Sequence, residues 1–240
     1  MNILAVSDQE SLVLMSWVEK KLPELEKIDV IISAGDLSHE YLEVLSMALG
    51  KEVLFVRGNH DQKEKWTSDA ESFPNDIFSI PVFRDNNQFM VNIHGKIRKM
   101  GNWLILGLEG SRWYNGEGTQ YSESKMRRMV ETLIIKSKTK VWLEKALGQR
   151  REWIVVSHAP LFGIHDEPDL CHRGFECYYE ILKFIKPKLW IHGHTRAPSL
   201  TSNQISQWGQ TSILNAFEYK FIRLETAEAP AVSFKPSILL

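Results

Sequence analysis

The sequence predicts an α/β fold, and three features of its apolar pattern indicate this class. Strand-sized apolar runs alternate with helical spacing in the first third of the 240 residues. Short strands separated by turn residues follow, and the strand–helix alternation resumes in the last third. Continuously apolar strands in strand–helix–strand units are typical of a buried parallel sheet. Because no repeat, low-complexity stretch or linker interrupts the chain, we expect a single domain over residues 1–240.

The first third predicts a βαβαβ unit. Helical spacing over residues 11–22 ends before Pro23, and a second helical pattern over residues 39–49 ends at Gly50. The strands before, between and after these helices are predicted at residues 3–6, 30–33 and 53–56.

The middle of the chain departs from this rhythm. Residues 60–87 are mostly polar, and a loop of that length in a compact domain is usually a functional lid or cover. A glycine-rich loop is predicted at 109–121, and Ser122 is the expected N-cap of the helix that follows. Short antiparallel strands are predicted at 89–93, 97–100 and 103–107, and helices at 122–136 and 139–148.

The last third returns to strands and helices. A loop at 159–174 separates a strand from a helix, and short strands close the chain. The predicted strands are 153–157, 188–192, 205–208, 211–215 and 220–224, and the predicted helix is 175–185.

Composition and charge exclude several classes of protein. Apolar residues make up 43% of the chain and the formal net charge is −1, which is typical of a globular protein and not of a disordered one. The apolar stretches are too short to cross a bilayer, so no membrane partner is expected. The opening residues reach a charge at Asp8 without a basic leader, which predicts a first strand and a cytoplasmic protein. Cys171 and Cys177 are expected to be reduced thiols.

Side chains that bind metals follow five apolar strands, each where the strand ends. Taken singly, each is more often a turn residue, a helix cap or a buried histidine. Ligands gather at the carboxyl ends of strands in open α/β sheets, so one metal centre explains all the positions better than unrelated structural roles do. The side chains are Asp8, Asp36, Asn59 with His60, His158 and His194.

These segments resemble the signature of calcineurin-like metallophosphoesterases, which runs D-x-H, G-D, G-N-H-[DE], H and G-H-x-H. The combination of GNHD with a distant HGHT is the specific part, and the likeness extends from residue 3 to about residue 215. The chain is most similar to a bacterial cytoplasmic branch with an SD-x-E first motif. The matching segments are Asp8-Gln9-Glu10, Gly35-Asp36, Gly58-Asn59-His60-Asp61, His158 and Gly193-His194-Thr195-Arg196.

The resemblance implies a four-layer α/β/β/α sandwich with two mixed sheets and two divalent metal ions. Asp36 matches the carboxylate that the two ions share, and the ions would activate a hydroxide and clamp the phosphoryl oxygens. Asn59, His158 and His194 match the remaining ligands of one site.

The resemblance also implies the acid–base residues. His60 matches the residue that contacts phosphate and protonates the leaving group as general acid. Asp61 follows it and is expected to orient its ring.

The second metal site departs from the family pattern at two positions. Glu10 replaces a histidine, and an oxygen donor there favours Mn²⁺ or Fe over Zn²⁺, with Ni²⁺ and Mg²⁺ as further candidates. Arg196 replaces another histidine and has no lone pair for a metal. We therefore expect weaker metal occupancy of the site formed by Asp8, Glu10 and Asp36. Arg196 is expected to grip a substrate phosphate, to pair with Glu10, or both.

Two other cationic side chains are candidate phosphate ligands. They are His172, in the loop after the His158 strand, and Arg112, in the glycine-rich loop. A surface or structural role is the alternative for both. His192 shares a strand face with His194, so it is expected either to substitute for a ligand or to support one.

The predicted function is hydrolysis of a phosphomonoester or phosphodiester, with a small nucleotide-like substrate as the partner. The near-neutral charge, and the acidic residues within the cationic stretch at 125–151, disfavour polymeric nucleic acid. The alternative is a non-catalytic or single-metal scaffold protein on the same fold. Arg196 favours this alternative, whereas the intact Asn59-His60-Asp61 disfavours it. The sequence predicts no oligomeric state.

Overall fold

The computed structural model describes residues 1–61, 89–146, 148, 151–196, 204–225 and 232–235. At residues 143–145 and 232–235 only the backbone is described. The predicted lid therefore lies outside the described residues from position 62 onward.

The first sheet has six strands in the described ranges, and four of them run parallel at its centre and one edge. Its strands are β1 (Asn2–Ser7), β2 (Val30–Ser33), β3 (Val53–Phe55), β4 (Met90–Asn92), β13 (Glu218–Leu224) and β14 (Val232–Lys235). They lie in the order β14-β13-β1-β2-β3-β4. Strands β1 to β4 are mutually parallel, whereas β13 is antiparallel to β1 and β14 to β13.

The second sheet also has a parallel centre, but both of its edge strands are antiparallel to their neighbours. Its strands are β5 (Ile97–Met100), β6 (Trp103–Leu108), β9 (Glu152–Ser157), β10 (Leu189–His192), β11 (Ile205–Trp208) and β12 (Thr211–Asn215). They lie in the order β11-β12-β10-β9-β6-β5. A separate pair, β7 (Ser111–Arg112) and β8 (Gln120–Tyr121), shapes the glycine-rich loop.

The helices of the described part of the chain cover the outer faces of the two sheets. Serine side chains cap three of them: Ser11 accepts from the Leu14 N–H, Ser38 from the Tyr41 N–H, and Ser122 from the Lys125 N–H. The helices are α1 (Leu12–Glu19), α2 (Pro23–Glu26), α3 (His39–Leu49), α4 (Glu123–Ala146) and α5 (Tyr178–Phe184).

The core has three apolar layers, which makes the molecule a four-layer α/β/β/α sandwich. The central layer holds the facing side chains of the two sheets, such as Ile32 and Ile154. A second layer packs α1 and α3 on the first sheet, and a third packs α4 and α5 on the second. Burying each large apolar side chain contributes roughly 1.5–3 kcal/mol. The predicted class and architecture are confirmed.

Two predictions about elements are wrong. The strand at 89–93 was expected to be antiparallel to its neighbours, but β4 pairs parallel with β3 at the edge of the first sheet. The two helices expected at 122–136 and 139–148 are the single helix α4. No glycine or proline lies between residues 123 and 146, so nothing in the sequence breaks that helix.

Candidate metal centre

The carboxyl ends of parallel strands from both sheets meet at one edge of the sandwich. Asp8 follows β1, and its N–H donates to the Gly35 carbonyl after β2 at 3.0 Å. His158 follows β9, and its carbonyl accepts from the Gly193 N–H after β10 at 3.0 Å. The first sheet therefore contributes the acidic residues and the second sheet contributes the histidines.

Three of the predicted ligands converge at this edge. Asp36, His158 and His194 each offer one ligand atom, and these atoms lie within 4.8 Å of one another. His158 is fully buried and His194 nearly so. A carboxylate and two imidazoles at this spacing match the donors of a divalent cation.

The tautomer of His158 is fixed by the backbone. Its Nδ1 lies 2.8 Å from the carbonyl oxygen of Ala34, so Nδ1 carries the proton. Its Nε2 lies 2.9 Å from Asn59 Oδ1 and 3.3 Å from Asp36 Oδ2. One ring nitrogen thus faces two oxygen acceptors, an arrangement that requires a proton or a metal ion between them.

The tautomer of His194 is fixed in the same way. Its Nε2 lies 2.7 Å from the carbonyl oxygen of Cys171, so Nε2 donates and Nδ1 keeps its lone pair. The centroids of the His158 and His194 rings are 4.8 Å apart. Metal-binding histidines usually donate their second ring nitrogen to a carbonyl or a carboxylate, and both imidazoles do so here.

The pKa values of the two histidines are shifted in opposite directions. Burial lowers the pKa of His158, but the carboxylates of Asp36 and Asp8 overcome this and raise it to about 9. Burial raises the pKa of Asp36, but the His158 charge and the N–H donors around it lower it to about 2. His194 is buried beside the positive charge of His158, and its pKa falls to about 3. His194 is therefore a neutral imidazole, the form that binds metals.

Three residues of the site have backbone φ angles in the left-handed region. These are Asp8 (φ 64°), Asp36 (φ 56°) and His194 (φ 71°). This conformation is uncommon for residues other than glycine, although Asp and His tolerate it better than most. Such conformations persist where surrounding contacts hold them, and they cluster at functional sites.

Two glycines let the backbone come close to the carboxylates. A Cβ on Gly58 would lie 2.0 Å from Asp36 Oδ1, and a Cβ on Gly193 would lie 2.5 Å from Asp8 Oδ2. Both distances are below any real contact, so these positions require glycine.

Asn59 is positioned by a tyrosine that was not among the predicted site residues. Its Nδ2 donates to Tyr114 Oη at 3.1 Å, which leaves Oδ1 facing His158. The glycine-rich loop also packs on the Asn59 backbone, since the Asn59 carbonyl accepts from the Thr119 N–H at 3.4 Å. Tyr114 is an aromatic residue that could stack on a base, but nothing in the sequence pointed to its contact with Asn59.

Asp61 organises the backbone of the centre. Its Oδ2 accepts from the N–H groups of Asp36 at 3.0 Å and Gly58 at 2.8 Å. The expected contact between Asp61 and the His60 ring is not among those of the described residues. His60 is exposed, and its backbone N–H donates to Asp36 Oδ1 at 2.9 Å. The catalytic roles of His60 and Asp61 stay predictions.

The two acids expected at the second metal site have other partners. Asp8 accepts from the His194 N–H through both carboxylate oxygens, at 3.0 and 2.9 Å, and from the Ser7 hydroxyl at 2.5 Å. Burial raises the pKa of Asp8 to about 6. Glu10 is exposed and accepts from the Ser38 hydroxyl at 2.5 Å. Their assignment as ligands stays a prediction.

The three candidate phosphate ligands differ in their surroundings. Arg196 is exposed, and no ion pair joins it to Glu10 in the part of the chain that the structure describes. Arg112 donates to the Gly174 carbonyl at 3.4 Å and lies 3.8 Å from Glu123, so it has a structural role at least. Its role toward phosphate, like that of Arg196, stays a prediction.

His172 is next to the centre. The centroid of its ring lies 5.1 Å from that of the His194 ring, and its Nδ1 lies 3.0 Å from Asp169 Oδ2. Asp169, Cys171 and His172 also form a group with ligand-type atoms within 4.8 Å, but Asp169 is exposed. His172 is thus the predicted phosphate ligand whose ring is beside a member of the metal cluster.

His192 is turned toward another histidine. Its Nε2 lies 2.9 Å from His165 Nδ1, and its Nδ1 lies 2.9 Å from the Gly193 carbonyl. His165 in turn lies 2.8 Å from the Ser206 hydroxyl. Both ring nitrogens of His192 are therefore occupied, so of the two expectations its contacts favour the supporting role.

The residues present fit a divalent cation. The converging atoms are one carboxylate oxygen, one amide oxygen and two imidazole nitrogens, His158 Nε2 and His194 Nδ1. A bound ion would take the place of the proton that His158 Nε2 holds at neutral pH. Among the described residues, no helix has the length and apolar character needed to span a bilayer.

The fold of the chain is shared with proteins of known structure. No curated protein sequence matches the chain. Two solved structures share the fold, one at a TM-score of 0.60 and 14% identity, covering 92% of this chain and 94% of its own. The other is TT1561 of Thermus thermophilus, at a TM-score of 0.59 and 16% identity, with 92% and 93% coverage. Phosphopantetheinyl hydrolase from Mycobacterium tuberculosis is a weaker likeness, at a TM-score of 0.44 and 13% identity. The match covers 90% of this chain and 88% of that protein.

The sequence itself matches a family model. The match covers residues 3–198, the segment that supplies every predicted metal ligand. The chain belongs to the calcineurin-like phosphoesterase family.

Proposed function

We propose that this protein is a metal-dependent hydrolase of a phosphomonoester or phosphodiester, in which Asp36, Asn59, His158 and His194 hold a divalent ion. The observation that carries the proposal is the convergence of Asp36, His158 and His194 within 4.8 Å. Membership of a phosphoesterase family supports phosphoester hydrolysis in general.

Asp36, Asn59, His158 and His194 would hold the ion, which when bound would supply Lewis acidity toward a phosphoryl oxygen and lower the pKa of a water nucleophile. The donor set suits Mn²⁺ or Fe, because it combines carboxylate, amide and imidazole. The protein's own contribution is to hold these donors in a buried, strained loop cluster that needs little rearrangement.

His60 is the proposed general acid. Its side chain is exposed at the edge of the centre, while its backbone N–H is tied to Asp36 Oδ1 at 2.9 Å. The imidazole therefore stands beside the proposed ion without being one of its buried ligands. Protonating the leaving oxygen is the role that this position suits best.

The proposed substrate is a small phosphorylated molecule with a base or another flat group. Tyr114 contacts Asn59, and Trp113 beside it is 60% exposed. Exposed aromatic rings next to a phosphate site suit stacking on a base. His172, beside His194, is available to meet the phosphate.

A single-metal version of the same enzyme is the second candidate. Asp8 is bonded to Ser7 and His194, and Glu10 is bonded to Ser38, so the acids of the second site are engaged elsewhere. Arg196 in place of a histidine favours the scaffold protein, which would bind no ion at all.

The test is hydrolysis of bis-p-nitrophenyl phosphate by the purified chain with and without Mn²⁺. We expect Mn²⁺-stimulated release of nitrophenol that falls by at least about 100-fold in Asp36→Ala. Asp29→Ala is the matched control for removal of a carboxylate, because Asp29 precedes β2 at the end away from Asp36 and accepts from the Asn2 N–H at 2.7 Å. His39→Ala is the control for the histidine variants, because His39 lies on α3, 3.5 Å from Glu43. Full activity of Asp36→Ala would refute the proposal, and no transition metal bound after Mn²⁺ addition would favour the scaffold.

A second substrate separates the two roles open to His60. A general acid matters most for a poor leaving group, so His60→Ala should lose more activity toward an alkyl phosphate ester than toward a nitrophenyl ester. Equal losses with both esters would assign His60 to phosphate binding alone.

A further inference from the structure

A second concave site lies at the opposite end of the second sheet. It is a cavity of about 900 Å³ bounded by the carboxyl-terminal halves of α4 and α5 and by the first residues of β9. The metal centre follows the other end of β9, six residues or roughly 20 Å away along the strand. The cavity is therefore separate from the proposed phosphoesterase site.

The cavity has an apolar floor and an aromatic rim. Trp153 and Ile134 form its floor and are buried against the second sheet. Trp142 and Phe184 line its rim, and they are 70% and 59% exposed. Large aromatic side chains left in water beside a concavity are typical of ligand sites.

The lining of the cavity is cationic. Lys138, Arg151 and Lys186 line it with one acid, Glu152, so the charged side chains sum to +2. Lys138 Nζ lies 4.6 Å from the centroid of the Phe184 ring. Residues 135–151, which surround the cavity, have six Lys and Arg and one Glu, whereas the whole chain has a net charge of −1. The positive charge is thus concentrated at this end of α4.

One buried hydroxyl at the cavity has no partner among the described residues. Ser137 lines the cavity and is only 2% exposed, and its Oγ makes no hydrogen bond within the described part of the chain. Buried hydroxyls are nearly always hydrogen-bonded, and this one is free to donate to an anionic oxygen.

We propose that this cavity binds an amphipathic anion, a carboxylate carrying an apolar chain or ring. The apolar part would cover Trp142, Phe184 and Trp153, and the carboxylate would face the lysines and the Ser137 hydroxyl. A second copy of the chain fits poorly, because a two-fold contact would bring the same cationic residues together. A flat bilayer would leave the concave floor and the Ser137 hydroxyl uncovered.

Calorimetric titration of the full chain with decanoate tests the proposal. We expect one saturable site with a dissociation constant of about 10–100 µM. Decanol, which has the same chain and no charge, should bind at least about tenfold more weakly. Trp142→Ala and Lys138→Glu should each weaken decanoate binding by about tenfold, and Ser137→Ala by about threefold.

Phe89→Ala is the matched control, because Phe89 is a similarly exposed aromatic residue that precedes β4 in the first sheet, away from both sites. It should bind decanoate like the unmodified protein. If Trp142→Ala does not fold, the surface change Lys138→Glu still decides the result. The proposal is overturned if decanoate shows no saturable binding, or if Trp142→Ala and Lys138→Glu both bind it normally. Binding only to phosphatidylglycerol vesicles, without decanoate binding, would overturn it in favour of a membrane surface.

Discussion

Three residues around the candidate metal centre hold backbone conformations that most side chains avoid. Asp8, Asp36 and His194 have positive φ angles, and each is held by hydrogen bonds to a neighbouring loop. Left-handed backbone at non-glycine residues costs of the order of 1–3 kcal/mol at each position. Its occurrence at three neighbouring loops is consistent with a site built for binding.

Gly58 sets how closely Asp36 approaches the Asn59 turn. Because its Cβ would lie 2.0 Å from Asp36 Oδ1, we expect Gly58→Ala to displace that carboxylate and to weaken Mn²⁺ binding by at least about tenfold. Gly50→Ala is the control: no atom of the described residues lies within 4 Å of its Cβ, and it costs only backbone strain at the end of α3. Titration calorimetry with Mn²⁺ checks both, and equal affinities would contradict this role of Gly58.

Glu109 makes the free energy of unfolding depend on pH, and this dependence does not involve the metal ligands. Burial raises its pKa, but Arg57, His94 and Tyr121 overcome this and hold the pKa of Glu109 below its ordinary value. The unfolded chain therefore binds more protons in acid. The stabilisation is complete above the unfolded pKa of about 4.3 and is lost as the pH falls through the folded pKa.

We expect Glu109→Gln to lower the free energy of unfolding by about 3 kcal/mol at neutral pH, because it leaves Arg57 without its carboxylate. Between about pH 5 and pH 3 the unmodified protein should lose stability more steeply than the variant. Urea unfolding at several pH values measures both effects, with the exposed Glu131→Gln as control. Parallel curves would show that Glu109 contributes no linkage.

At this scale the sequence predicted which side chains meet but not what holds them. The positions of Asp36, His158 and His194 at strand ends were enough to predict one cluster. The Ala34 and Cys171 carbonyls that set the histidine tautomers have no side-chain signal. The partners of Asp8 and Glu10 were equally hidden, because Ser7 and Ser38 are common residues in turns and helix caps.

At the scale of elements, α4 differs most from its predicted form. Two helices were predicted, with a break at residues 137–138, but the sequence has no glycine or proline there. Local pattern also could not show that β4 pairs with β3. That pairing spans residues 56–89 in sequence, and short strands have no local signal for their direction.

The N-cap residue Ser122 is expected to stabilise the first turn of α4, and substitutions at this position test that. Ser122 Oγ accepts from the Lys125 N–H at 3.2 Å. We expect Ser122→Ala to lower the free energy of unfolding by about 1 kcal/mol, and Ser122→Asp to keep most of it. Urea unfolding measures the difference, and equal losses in both variants would mean that the cap does not stabilise this helix.

At the scale of the whole molecule, the proposed ion site depends on the carboxyl ends of strands from both sheets meeting at one edge of the sandwich. The sequence predicted strand ends carrying ligands, and the family resemblance supplied the two-sheet sandwich. No local pattern could assign Asp36 to one sheet and His158 to the other, because that division follows from strand order.

Since the proposed ion links both sheets, its binding should stabilise the entire fold. At about 100 times the dissociation constant, a bound ion adds about 2.7 kcal/mol, which raises the Tm by roughly 5–10 °C for a chain of this length. We expect Mn²⁺ to produce such a shift in the unmodified protein and His39→Ala, and little or none in His194→Ala. A full shift in His194→Ala would place the ion elsewhere.

Anomalous diffraction from crystals grown with Mn²⁺ tests the central claim most directly. We predict a peak within about 2.0–2.3 Å of the ligand atoms of Asp36, Asn59, His158 and His194. A second peak bounded by Asp8, Glu10 and Asp36 would establish the two-metal form, and its absence the single-metal form. No peak between Asp36 and His158 would contradict the account.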